Sequence, residues 1–208
     1  MLVKEIPAAN QAESHILHPG SRTLFRFWET VRAERAAPNR AELDLKQIGR
    51  QAPDLFIIEH SRGTYRWRLA GTRICELYRR ELTGRDCLAG WDCFERDTIG
   101  RFLGAVTDTL QPCVLRFRLV TSHSQTIGVE MVGLPLVERS GESVHVFGGL
   151  FPFRDITPLT YDCIAVQEIS SARTIWTQHL PGDQLAARLR AVPGQGTFKP
   201  FELIPGGR

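Results

Sequence analysis

Hydrophobic positions change their period several times along the chain, and each change marks an element. Leu24, Phe27, Trp28 and Val31 fall at i, i+3, i+4 and i+7, the single apolar face of a helix, and Phe25 widens it. Ser21 or Thr23 is the expected N-cap, and Pro38 stops the helix after Arg32, Glu34 and Arg35. Residues 39–54 hold Leu43, Leu45 and Ile48 in a polar setting and predict a short connecting turn of helix ending near Pro53. Residues 55–59 form a short apolar run of strand formers. Ser61-Arg62-Gly63-Thr64 turns that run into Tyr65-Arg66-Trp67-Arg68-Leu69, where large and cationic residues alternate strictly. Period two marks a strand with unlike faces, so the two runs predict a hairpin.

Between Gly71 and Asp97 the chain is broken by Gly84 and Gly90 and carries Tyr78, Trp91 and Phe94, which predicts short helices and loops. Gly71 and Gly84 are expected to supply backbone freedom at tight turns. Asp97 is the expected cap of a helix reaching Leu110, with Ile99, Phe102, Leu103, Val106 and Leu110 as its stripe. Three strands follow, over 114–121, 126–137 and 144–153. The first places Leu115, Phe117 and Leu119 on one face, with Arg116 and Arg118 on the other. Pro135 lacks a ladder donor and is expected at a bulge or near an exposed strand end. The chain thus divides into a flexible arm over 1–20, a domain over 21–157 and an irregular extension over 158–208, with a short helix over 183–189.

The order is helix, hairpin, short helices, longer helix and three-stranded meander. With Phe27-Trp28, the stretch Arg40 to Asp44, Trp67-Arg68-Leu69-Ala70-Gly71-Thr72-Arg73, Leu82-Thr83-Gly84-Arg85 and Leu134-Pro135-Leu136, the chain resembles a bacterial, mostly alphaproteobacterial, family of PAS domains of unknown function. The resemblance covers roughly residues 24–155, and the Asp155-Ile156-Thr157 exit is similar to the end of many sensor PAS domains. Arg79 stands where that family tends to have Gly, and Leu45 where it often has Pro. The resemblance implies an α+β fold: a PAS-like five-stranded antiparallel sheet with short helices over one face. It also implies a sensor or adaptor module of bacterial signalling with no enzymatic activity.

Composition narrows the partners. The 208 residues are 42% hydrophobic and 24% charged, with a net charge of +3 and no dense Lys/Arg block, which does not describe a nucleic-acid binder. No apolar run approaches the length of a membrane span and the first eighteen residues have no secretory pattern, so a cytoplasmic protein is expected. The cysteines, Cys75, Cys87, Cys93, Cys113 and Cys163, form no Cys-x-x-Cys pair and suggest free thiols without a metal.

Candidate chemistry is sparse. The helix over 97–110 has no His to ligate haem, and Cys75 lacks the neighbours of a photoactive flavin site. His60, His123 and His145 read as strand or loop histidines, Asp92, Glu95 and Asp97 as helix-start acids, and Ser122-His123-Ser124 as a hairpin turn. No catalytic residues are assigned. The expected cofactor is none, or an unknown small molecule held among Trp67, Leu69, Ile74, Tyr78, Trp91, Phe94, Phe102, Val106, Leu115, Phe117 and Phe147. The competing reading is that these side chains simply fill the interior. Arg66 with Arg68, and Arg116 with Arg118, are candidates for an anion or an acidic partner, unless Glu130 pairs with one of them across strands. The apolar face of Leu24, Phe27, Trp28 and Val31 must pack on the sheet or on a second copy, which makes these four the candidate homodimer interface. Output is expected through contact with a signalling partner protein. The alternatives are a ligand-free interaction domain, a haem protein or a small enzyme.

Overall fold

A six-stranded antiparallel sheet with the order β2-β1-β5-β4-β3-β6 forms the centre of the computed structural model, which describes residues 13–138, 143–156, 163–175 and 177. The strands are β1 (Leu55–Ser61), β2 (Thr64–Ala70), β3 (Cys113–Thr121), β4 (Thr126–Val137), β5 (Val144–Pro152) and β6 (Ile164–Thr174). The helices are α1 (Pro19–Arg32), α2 (Thr72–Tyr78) and α3 (Cys93–Thr109), with 3-10 turns at Arg40–Glu42 and Leu45–Asp54. The fold is the expected α+β architecture. It carries one strand beyond the expected five, β6, which lies in the segment read as irregular.

Both faces of the sheet are covered, which explains why β1, β4 and β5 are apolar almost throughout instead of alternating. The inner face, under α2 and α3, holds Phe56, Ile58, Trp67, Leu115, Phe117, Val129, Met131, Val146 and Leu150. The outer face, under α1, holds Leu55, Ile57, Val114, Val132, Leu134, Leu136, Phe147 and Phe151.

The face of α1 is therefore occupied by its own sheet. Leu24 and Trp28 are fully buried, Phe25 and Phe27 are buried, and Val31 packs against the same cluster. The Trp28 indole donates to the Pro135 carbonyl (2.9 Å), and the Arg32 guanidinium lies 5.0 Å over its ring. The homodimer expectation built on Leu24, Phe27, Trp28 and Val31 thus has no exposed face behind it. The cap also differs from expectation. Pro19 sits at the helix start, and the His18 side chain accepts from the Gly20 N–H (3.0 Å), while the Thr23 hydroxyl bonds back to the Pro19 carbonyl. The helix ends at Arg32, because Ala33 takes φ +52°.

The segment before α1, expected as part of a loose arm, is tied down at its end. Ile16 is fully buried, and the Leu17 and His18 N–H groups donate to the Glu130 carboxylate (2.9 and 2.8 Å). Glu130 is itself fully buried and paired with Arg116 (2.9 Å), its register partner across β3 and β4. Arg116 also donates to the His15 carbonyl and to Ser171. One charged pair on the outer face thus holds three segments together.

Pro135 is neither at a bulge nor exposed. The β4–β5 ladder runs through it without a register break. The Val137 N–H, on the side of β4 away from β5, bonds to the Pro38 carbonyl. Pro135 presents its missing donor to that same side, where β3 has already ended opposite Gly133.

The β2 edge of the sheet is shielded. Along β2, the Trp67 N–H donates to the Arg85 carbonyl, while Gly84 and Cys87 donate to Trp67 and Tyr65. Gly84 (φ +82°) needs its freedom for this loop. Gly71 does not have an unusual φ; a Cβ there would lie 2.2 Å from the Pro53 carbonyl oxygen. On the far side, β6 pairs along β3 and is itself the edge strand. The β1–β2 hairpin is a two-residue turn with positive φ at Arg62 and Gly63.

Candidate functional site: the chamber between helices and sheet

The helix that roofs the chamber starts earlier than the stripe suggested. Asp92, not Asp97, is its cap, accepting from the Glu95 N–H (2.9 Å), and Leu110 ends it in the left-handed region. Ile99, Leu103 and Val106 point from it to the sheet, and Ile74 and Leu77 come down from α2. Trp91 meets Phe117 edge-on (5.1 Å between ring centres), and Phe56 meets Trp67 at 90° (5.5 Å).

Among the described residues, the space left open in this chamber is small. A cavity of about 20 Å³ lies among Ile58, Trp67, Tyr78, Trp91, Phe117 and Leu150. That is room for about one water molecule. None of the buried unpaired polar atoms among the described residues belongs to its lining. The Tyr78 hydroxyl is already engaged with the Gln167 side chain on β6 (2.8 Å), and burial pushes its pKa up. Burial likewise pushes the Cys87 thiol up, and that of Cys113 up to about 12, so both are neutral thiols.

The pocket candidates divide accordingly. Trp67, Tyr78, Trp91, Leu115 and Phe117 line the cavity, while Ile74, Phe102 and Val106 pack in the same core around it. Three do not belong. Phe147 faces α1 on the outer side, because the odd-numbered residues of β5 point there. Leu69 is opposite Ile57 and 40% exposed: a bulge inserts Arg68 into β2 and turns Leu69 off the helix face. Phe94 sits in the first turn of α3, 74% exposed.

The arginine pairs are engaged within the chain. Arg116 meets Glu130, Arg118 meets Glu168 (2.6 Å), Arg68 meets Glu59 (3.2 Å), and Arg66 donates to the Gly84 carbonyl. His145 lies on the outer face, buried, with its Nε2 3.3 Å from Glu138 but without an aligned hydrogen bond. Burial lowers its pKa, against the field of Glu138.

Sequence reading missed a second concavity. An open cleft of about 460 Å³ is lined by His18, Asp54, Arg73, Glu76, Phe151 and Phe153, among others. Asp54 is buried and paired with Arg73 (2.5 Å); desolvation raises its carboxyl pKa, and the guanidinium opposes that. The His18 ring stacks on Phe151 (5.2 Å between centres). No periodic pattern marks these residues, which come from the start of α1, the 3-10 turn ending at Asp54, α2, and β5 with its exit.

The geometry of a curled antiparallel sheet with α2 and α3 across one face agrees with a direct comparison. A family model for the PAS domain matches residues 16–151. The chain belongs to the PAS family. The match takes in α1 and five strands and stops before β6. A search of curated proteins matches none to this chain. PAS domains are in general sensory or interaction modules of signalling rather than enzymes. Among the described residues, no helix is long and apolar enough to cross a membrane, and no cluster of His, Cys, Asp or Glu suits a metal ion.

Proposed function

We propose that this PAS domain is a signalling adaptor that works by protein–protein contact without a bulky cofactor in its chamber. The observation that carries this reading is the filled interior: about 20 Å³ of free volume, enclosed by interlocked aromatic rings. A drug-sized ligand or cofactor occupies a pocket of ~300–1,000 Å³. Opening that much space would require several of these rings to leave a close-packed core. The engagement of the Tyr78 hydroxyl by β6 adds to it, since the polar handle best placed to orient a guest faces the sheet edge instead.

The test is mass spectrometry of whatever leaves the purified protein on denaturation, together with its visible spectrum. The expected result is no stoichiometric organic molecule and no absorption above the protein band. A haem or flavin spectrum, or one equivalent of a released metabolite, refutes the reading and restores the ligand-responsive sensor.

A further inference from the structure

β6 is unlike the other strands of this sheet. It lies beyond the residues matched to the PAS family, and it occupies the edge of β3 that would otherwise present a row of unpaired N–H and C=O groups. The β3–β4 and β4–β5 ladders run without a register break. The β3–β6 ladder is broken twice, between Arg116 and Phe117 and between Val120 and Thr121. Gln167 is the one residue of β6 that is buried, and Val166 is 47% exposed. The strand therefore has strand-length backbone pairing with little burial behind it. Such an element opens at a lower cost than the core strands do.

Its side chains nevertheless meet β3 and the chamber in a defined register. On the inner side, Gln167 bonds to the Tyr78 hydroxyl, and Ile169 and Ala172 pack on the core beside Phe117 and Leu115. The Ile169 N–H donates to Glu95 at the start of α3 (2.7 Å). On the outer side, Glu168 meets Arg118 and Ser171 meets Arg116. Main-chain pairing supplies affinity and alternate side chains supply selectivity, which is the chemistry of strand addition.

We propose that the edge of β3 is the partner-docking site of this domain and that β6 is its resident, exchangeable occupant. The partner is an extended segment of another protein with the chemistry of β6. It carries an amide side chain to reach Tyr78, small or branched apolar residues two and five positions later, and a carboxylate opposite Arg118. The proposal rests on the adaptor reading above and names its contact surface. Because Tyr78 and Glu95 hold β6, exchange also frees groups on α2 and α3, which links the edge to the helices over the chamber.

The experiment uses the full chain and a fluorescent peptide with the sequence of residues 164–175. A locked variant carries Val120→Cys and Val166→Cys, a register pair outside the recognition contacts, with the exposed Cys93 and Cys163 replaced by serine. Peptide is expected to bind the wild type and the reduced variant, and to bind the oxidised, disulfide-locked variant at least ten-fold more weakly. A peptide bearing Gln167→Leu is expected to bind several-fold more weakly than the native one. Hydrogen exchange should show β6 amides at least ten-fold less protected than those of β4 and β5. Equal uptake by locked and reduced forms, no uptake by either, or core-like protection of β6 overturns the proposal. Those outcomes leave the adaptor reading standing, since that fails on a released stoichiometric ligand.

Discussion

Replacing Glu130 with alanine tests the argument that one buried pair anchors the N-terminal segment to the sheet. The carboxylate is fully buried and accepts from the Leu17 N–H, the His18 N–H and the Arg116 guanidinium. Removing it strands a largely buried cation and two backbone donors. Hydrogen bonds to charged groups contribute ~1.5–3 kcal/mol each, and breaking a buried ion pair from one side costs ~3–5 kcal/mol. These overlap, so the expected loss is about 3–5 kcal/mol, with Arg116 keeping its bonds to Ser171 and the His15 carbonyl. For a domain of this size that lowers the melting temperature by roughly 6–20 °C. Urea titration of Glu130→Ala, Arg116→Ala and the double variant gives the coupling energy, expected above ~1 kcal/mol. Hydrogen exchange should show the amides of Leu17 and His18 losing protection in both single variants. A loss below about 1 kcal/mol, the range of surface substitutions, would mean the pair is effectively solvated and the reasoning is wrong.

Trp28→Ala should cost about 3–5 kcal/mol in urea titration while leaving the sedimentation mass unchanged, because its partners lie in its own chain; a change of mass at full stability would return α1 to a subunit interface. Gly71→Ala should cost more than ~2 kcal/mol in the same assay, since its Cβ would lie 2.2 Å from a backbone oxygen that cannot rotate away; a neutral result would show that the Pro53 turn yields. His145 has its folded pKa lowered by burial, so the unfolded chain binds its proton more readily, and this contribution to stability is lost as pH falls below 6.5. His145→Leu should flatten the fall of melting temperature below that pH and change stability at pH 8 by less than ~1 kcal/mol, since the ring has no aligned bond to lose. An unchanged pH slope would assign the dependence to other groups, His18 first, whose pKa burial also lowers.

Periodicity made the hairpin, the β3–β4–β5 meander and the apolar face of α1 legible, because burial of one side of an element leaves its period in the chain. It offered Glu130 as a cross-strand partner for one of the arginines, and the β3–β4 register chose Arg116. It failed where a neighbour sets the outcome. The stripe of α3 starts at Ile99, but the cap belongs to Asp92, because the exposed first turn carries no apolar signal. β6 pairs by its backbone and is mostly uncovered, so its eleven residues show only a weak alternation.

The linear order of side chains was enough to determine the element order from α1 to β5, the family and a core rich in aromatic rings. Whether that core is hollow was decided by packing alone, since ring volumes add up to a cavity or a solid only when their directions are known. The bulge at Arg68 and the parity of β5 removed Leu69 and Phe147 from the interior, and α1 found its cover on the same chain. These outcomes depend on contacts between residues far apart in sequence, for which local pattern holds no record.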